Sequence, residues 1–111
     1  MEIKQEKKGN VLVLNIIGRL DSNTANQMEN ELMPLIDKGD DDILVDFSNL
    51  DYISSAGLRL LLLAAKKMDK KDKKIILCSM KEFIHEVFEI SGFTSIFTIA
   101  ENADIAMKEF E

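Results

Sequence analysis

The sequence predicts a single α/β domain, with a mostly parallel sheet of four or five strands opened by an N-terminal hairpin and about four helices. Three observations predict it. Apolar runs of strand composition, such as Val11 to Ile17, Ile43 to Phe47 and Ile75 to Cys78, are separated by segments whose apolar residues recur at helical spacing. Strand and helix then alternate, the order in which crossover helices join parallel strands. Finally, a chain of 111 residues suits one domain, residues 1–111, burying around two-thirds of its unfolded surface. No internal repeat, low-complexity segment or linker divides it.

A short first strand around Ile3 turns at Gly9-Asn10 into the strand at 11–17, apolar enough to be buried on both faces. Beyond Gly18-Arg19-Leu20-Asp21, Thr24 and Gln27 have the spacing of a capping box, and Ala25, Met28, Leu32, Leu35 and Ile36 recur at helical spacing. Gly39 stops that helix, with Lys38 in its last turn. Pro34 costs a regular helix interior about 3 kcal/mol and predicts a kink or a loosened last turn. Asp40-Asp41-Asp42 reads as a turn before the strand at 43–47, and Ser48-Asn49-Leu50-Asp51 as the turn that breaks it. A helix over about 56–69 follows, then a strand at 74–79 and a helix near 81–91 that places Ile84, Val87, Phe88 and Ser91 on one face before Gly92. Ser95 to Ile99 adds a short last strand, and Asn102 to Phe110 a closing helix with Ala103, Ala106, Met107 and Phe110 turned inward.

Composition excludes several functions. A net charge of -6, no Trp and one Tyr argue against direct nucleic-acid binding. The lysines at 66, 67, 70, 71, 73 and 74 mark a solvated helix end and loop. Leu60 to Ala65 is far short of the roughly 20 apolar residues that cross a bilayer, so no membrane insertion is expected. Cys78 is the only cysteine; it reads as a small buried hydrophobe, and a reducing cytoplasm is the expected location. One His and one Cys give no metal-ligand spacing, the acidic run lacks a calcium-loop pattern, and no phosphate-binding glycine motif occurs, so no cofactor is expected.

The segment Asp51 to Leu63 carries the chemistry. Ser54 and Ser55 fall at the start of the helix that follows the strand at 43–47, where a side-chain oxygen can cap free N–H groups for about 1 kcal/mol. A hydroxyl there lies beside the positive end of the helix, so a phosphoryl group would meet free donors and a favourable dipole. It would also add roughly 1.5 to 2 negative charges to the surface, near Asp21 and Asp51. In the helix, Leu58, Leu61, Leu62, Ala64, Ala65 and Met68 fill one arc; Leu63 falls among Arg59, Lys66, Lys67 and Lys70, and Leu60 at the margin. An exposed Leu63 is ordinary by itself; with Leu60 and Arg59 it would extend the turn into a docking surface. A hydrolase elbow fails, because Ile53 stands where its first Gly would be, and the sole histidine, His85, is placed on a solvated helix face.

Gly18-x-Leu20-Asp21, followed by Val45-Asp46-x-Ser48-x-Leu50-x-Tyr52-Ile53-Ser54-Ser55-Ala56-Gly57-Leu58, resembles the STAS domain of bacterial anti-sigma-factor antagonists across essentially the whole chain. The resemblance implies a phosphorylated serine two residues before the Gly-Leu pair, which is Ser55, with Ser54 as the minor alternative. An Asp usually precedes that serine in the family, and Ser54 stands in its place here; Asp21 matches the other acidic position near the site. The resemblance further implies partner switching. The unphosphorylated protein binds an anti-sigma factor that is also a Ser/Thr kinase, phosphorylation releases it, and a PP2C-type phosphatase resets it. The partner-binding residues expected on this basis are Asp21, Ser22, Asn23, Ser54, Gly57, Arg59, Leu60 and Leu63, in a monomer or weak dimer. The alternative is a constitutive STAS interaction module of a transporter or signalling assembly that is not phosphorylated.

Overall fold

The computed structural model describes all of residues 1–111. Glu2–Lys8 (β1) and Val11–Leu20 (β2) form the antiparallel hairpin, turning at Gly9 with φ +60. Then come Ala25–Lys38 (α1), Asp42–Asp46 (β3), Leu50–Ile53 (β4), Ser55–Lys70 (α2), Ile75–Cys78 (β5), Glu82–Ile90 (α3), a 3-10 turn at Phe93–Ser95, Thr98–Ala100 (β6) and Ala103–Glu109 (α4). The sheet has six strands in the order β1-β2-β3-β5-β6, with β4 paired to β2 beyond the end of β3. All pairings after the hairpin are parallel.

Period-two alternation divides the sheet between two layers. Leu14, Ile16, Ile43, Val45 and Leu77 face a large core closed by α1, α2 and α3. Val11, Leu44, Ile76 and Cys78 face the opposite side, where Ala106 of α4 covers them. Phe88 joins the layers' end to α3, stacking edge-on against Phe47, Phe93 and Phe97 with ring centroids 5.9, 6.2 and 6.1 Å away. Cys78 is buried, and that burial pushes its thiol pKa up.

Four local expectations are corrected. Leu50 and Asp51, expected in the turn Ser48 to Asp51, instead open β4, whose pattern does not alternate: Leu50 and Ile53 are buried while Asp51 and Tyr52 between them are exposed. It exists because β2 continues three residues further than its apolar run, through Gly18 at φ +104, and offers a free edge. The capping box does not form: Thr24 makes no side-chain cap bond, and Gln27 Nε2 instead donates to the Met1 carbonyl at 2.9 Å. The last turn of α1 is not loosened: the helix runs past Pro34 to Lys38 and the Gly39 N–H reaches the Leu35 carbonyl at 3.2 Å. Pro34 lies on the exposed face with Asn30, so water can reach the carbonyl that the ring leaves unpaired. Ser95 closes the 3-10 turn, Ile96 and Phe97 form the connection after it, and only Thr98–Ala100 pairs with β5.

The lysine run is partly structural. Lys67 pairs with Asp37 at 3.1 Å, and Lys71 Nζ donates to the Ile36 and Gly39 carbonyls, tying the C-terminal end of α1 to that of α2. At the other end the contact is closer still. Gly57 is buried in the first turn of α2, where an added Cβ would lie 2.7 Å from Leu20 Cγ and 2.9 Å from Ile53 Cγ1. Elsewhere in a helix, Gly→Ala gains about 1 kcal/mol. Here overpacking outweighs that gain: Gly57→Ala is expected to lower unfolding stability by about 1–3 kcal/mol, read from urea denaturation.

Candidate functional site

Leu20 and Ile53 pair at the carboxyl ends of β2 and β4, which brings the turn leading to α1 beside the turn leading to α2. The Ser54 N–H donates to the Leu20 carbonyl at 2.9 Å and ties the two turns together. Ser54 then holds the N-cap position of α2 with φ -104 and ψ 175, and its carbonyl accepts from the Leu58 N–H at 3.0 Å. Its hydroxyl makes no cap bond. Ser54 Oγ is buried with no partner at all, so the capping expected of this pair is absent. Ser55, one residue on, is exposed and begins the helix. No side chain covers the first-turn N–H groups beside it.

The neighbouring turn is held from within. Asp21 Oδ1 accepts from the Asn23 N–H at 2.9 Å and from the Thr24 N–H at 3.2 Å. Thr24 Oγ1 donates to the Arg19 carbonyl at 2.8 Å and accepts from the Asp21 N–H at 2.9 Å. Partial desolvation pushes the Asp21 pKa up, but the bonds from Asn23, Thr24 and Arg19 outweigh it and hold the carboxyl below its ordinary value. Arg19 also lies 4.3 Å over the Tyr52 ring, and its Nε is 3.5 Å from Asp21 Oδ2. Neither Asp21 nor Asp51 bonds the Ser55 hydroxyl. Asp51 is taken by Lys81 at 2.6 Å.

Between α1 and α2, an open groove of about 490 Å³ gathers Ser22, Arg59, Leu60 and Leu63. Arg59 is exposed and Leu63 is 41% exposed, as its place in the charged arc predicts. Leu60 is a correction, being only 5% exposed, so it contributes floor rather than rim. Gly57 is likewise buried and shapes the site by letting α2 approach Leu20. Asn23 is exposed in the adjacent turn, outside the groove. Sequence reasoning missed Asn26, Glu29 and Lys66, which complete the groove walls. Their signal was present: Arg59, Leu63 and Lys66 have the i, i+4, i+7 spacing of one face of α2, and Asn26 and Glu29 stand three residues apart on α1. His85 stands in a different hollow, with Met80, Glu82 and Ile99, and its Nδ1 meets Glu89 at 2.8 Å.

A six-stranded, mostly parallel sheet of this order carries at one end an exposed serine that opens the helix after β4. The chain belongs to the STAS domain family, which matches residues 2–106. A Bordetella bronchiseptica protein assigned as an anti-sigma factor antagonist, BtrV, is 40% identical over 111 residues, covering 100% of this chain and 96% of its own. A solved structure from Thermotoga maritima, also assigned as such an antagonist, superimposes with a TM-score of 0.92 at 19% identity, covering 97% and 93% of the two chains. The phosphorylated form of the Bacillus cell fate determinant SpoIIAA gives a TM-score of 0.76 at 20% identity, covering 99% and 100%. The two structures share the fold. The Bordetella relative supports the role of an anti-sigma factor antagonist, a binding role. No helix is long and apolar enough to cross a membrane.

The Asp21 turn gives the site a pH dependence. Because its pKa is lower folded than unfolded, the stabilisation is full above the ordinary carboxylate value and is lost as pH falls through the folded value. The urea-midpoint advantage of the wild type over Asp21→Asn is therefore expected at neutral pH and should disappear in strongly acidic buffer.

Proposed function

We propose that this protein is a phosphorylation-controlled antagonist of an anti-sigma factor, switched at Ser55. The observation that carries the reading is the exposed Ser55 at the first position of α2, beside uncapped backbone donors and one residue before Ala56, which lines the α1/α2 groove. The unphosphorylated surface docks an anti-sigma factor that is also a Ser/Thr kinase, with Ser22, Asn23, Arg59 and Leu63 facing it and Asp21 holding their turn. Transfer of a phosphoryl group to Ser55 adds roughly 1.5 to 2 negative charges at the docking surface. The helix N-terminus accommodates that charge, so the fold tolerates it while the partner has to desolvate it. A PP2C-type phosphatase then restores the hydroxyl.

The same geometry favours Ser55 over Ser54 as acceptor. Ser54 Oγ is buried, and a kinase could reach it only after the turn opened, whereas Ser55 needs no such opening. Ser54 in place of an Asp also removes one negative charge next to the incoming phosphate.

Intact-mass spectrometry of protein purified from its native host, with fragmentation, is expected to show one phosphate on Ser55 that is lost in Ser55→Ala. Phosphate on neither serine, across growth conditions and after incubation with cognate kinases, would overturn the switch and leave a constitutive docking module. Leu63→Asp tests the surface itself. Its 41% exposure predicts a change in unfolding stability within about 0.5 kcal/mol, while affinity for the cognate anti-sigma factor falls about tenfold or more in titration calorimetry.

A further inference from the structure

The far side of α2 opens a second groove of about 470 Å³, floored by Leu62, Ile75 and Phe97 and walled by Ile96, which is 52% exposed. Lys66 and Lys73 stand at its mouth with Asp69 as the one carboxylate. Lys67 and Lys71 in the same run are bonded to Asp37 and to α1 carbonyls, but Lys66 and Lys73 enter none of the chain's ion pairs. An apolar slot flanked by two free cations selects an apolar side chain carried beside carboxylates.

The chain itself presents such an element. On α3, Ile84 and Phe88 are buried, while Ile90 is 86% and Phe83 50% exposed. At about 100° per residue Phe83, Glu86 and Ile90 lie within roughly 60° of one another, on the side away from the core. Glu82 and Glu86 enter none of the ion pairs either. An isoleucine this exposed at the end of a helix, with unpaired Glu86 and Glu82 one and two turns before it, is complementary in sign to the basic apolar slot.

We propose that a second copy of the chain occupies this groove, with Ile90 of its α3 entering the apolar floor and Glu82 and Glu86 meeting Lys66 and Lys73. Each copy carries both the ridge and the slot, so the contact is available twice within a pair. Copies that each carry a net charge of -6 repel at long range, so the association is weak and depends on the local opposite charges. The contact does not use Ser55, and it shares only Leu62 and Lys66 with the α1/α2 groove.

Sedimentation velocity from micromolar to millimolar protein is expected to show a concentration-dependent shift from monomer toward dimer. Ile90→Asp should raise the apparent Kd about tenfold or more, and the exposure of Ile90 leaves its melting midpoint unchanged. Lys73→Glu should weaken the association, and Lys73→Glu combined with Glu86→Lys should restore it. Ser55→Ala should associate as the wild type does, which separates failure of this contact from failure of the switch. A wild type that sediments as monomer throughout, an association that survives Ile90→Asp, or a charge swap that does not restore Lys73→Glu would each overturn the proposal.

Discussion

The functional end of the molecule depends on one close approach, that of the Gly57 backbone to the side chains of Leu20 and Ile53. Without a Cβ at this position, the first turn of α2 settles directly onto the carboxyl ends of β2 and β4. The turn that carries Ser22 and Asn23 and the turn that carries Ser54 and Ser55 are then neighbours, tied by the Ser54 N–H bond to the Leu20 carbonyl. Packing at this density leaves no room for a methyl group, so the spacing of the two turns is set rather than adjustable. A surface read by a partner needs that rigidity, because a partner docking on two loose loops would have to order both.

Around this contact, the polar groups are divided by whether they hold the fold or remain free for use. Asp21 and Thr24 spend their hydrogen bonds inside their own turn, and Asp51 spends its charge on Lys81. Ser55, Arg59 and Lys66 keep theirs toward solvent. Ser54 is the exception, a buried hydroxyl with no partner next to the residue whose modification the site would register. An unpaired buried hydroxyl costs stability, and such costs tend to be carried at functional positions. α2 thus works as a partition, with its apolar arc in the core, one groove against α1 on one flank and another against β5 and the Ile96-Phe97 connection on the other.

The class of fold, the single domain, the hairpin and all four helices were legible in the sequence because each rests on a local period. β2, β3 and β5 are runs of β-branched and large apolar residues, and the helices show their buried positions at three- and four-residue spacing. The exposure of Leu63 followed from the same angular argument. The Ser54-Ser55 turn was legible because hydroxyls before an apolar run mark a helix start.

What the sequence could not determine were the features settled by contacts distant along the chain. β4 forms because β2 offers it an edge more than thirty residues earlier, and no alternation within Leu50 to Ile53 announces it. Leu60 sits at the margin of the apolar arc, and whether that margin is covered depends on where α1 lies. Gln27 abandons a local cap for the Met1 carbonyl, and the Ser54 hydroxyl stays unpaired although its spacing suits a cap. Local periodicity thus determined which elements exist and which arcs of them are apolar. Tertiary packing alone decided which hydroxyl is exposed and which is buried, because that choice depends on how closely α2 approaches Leu20.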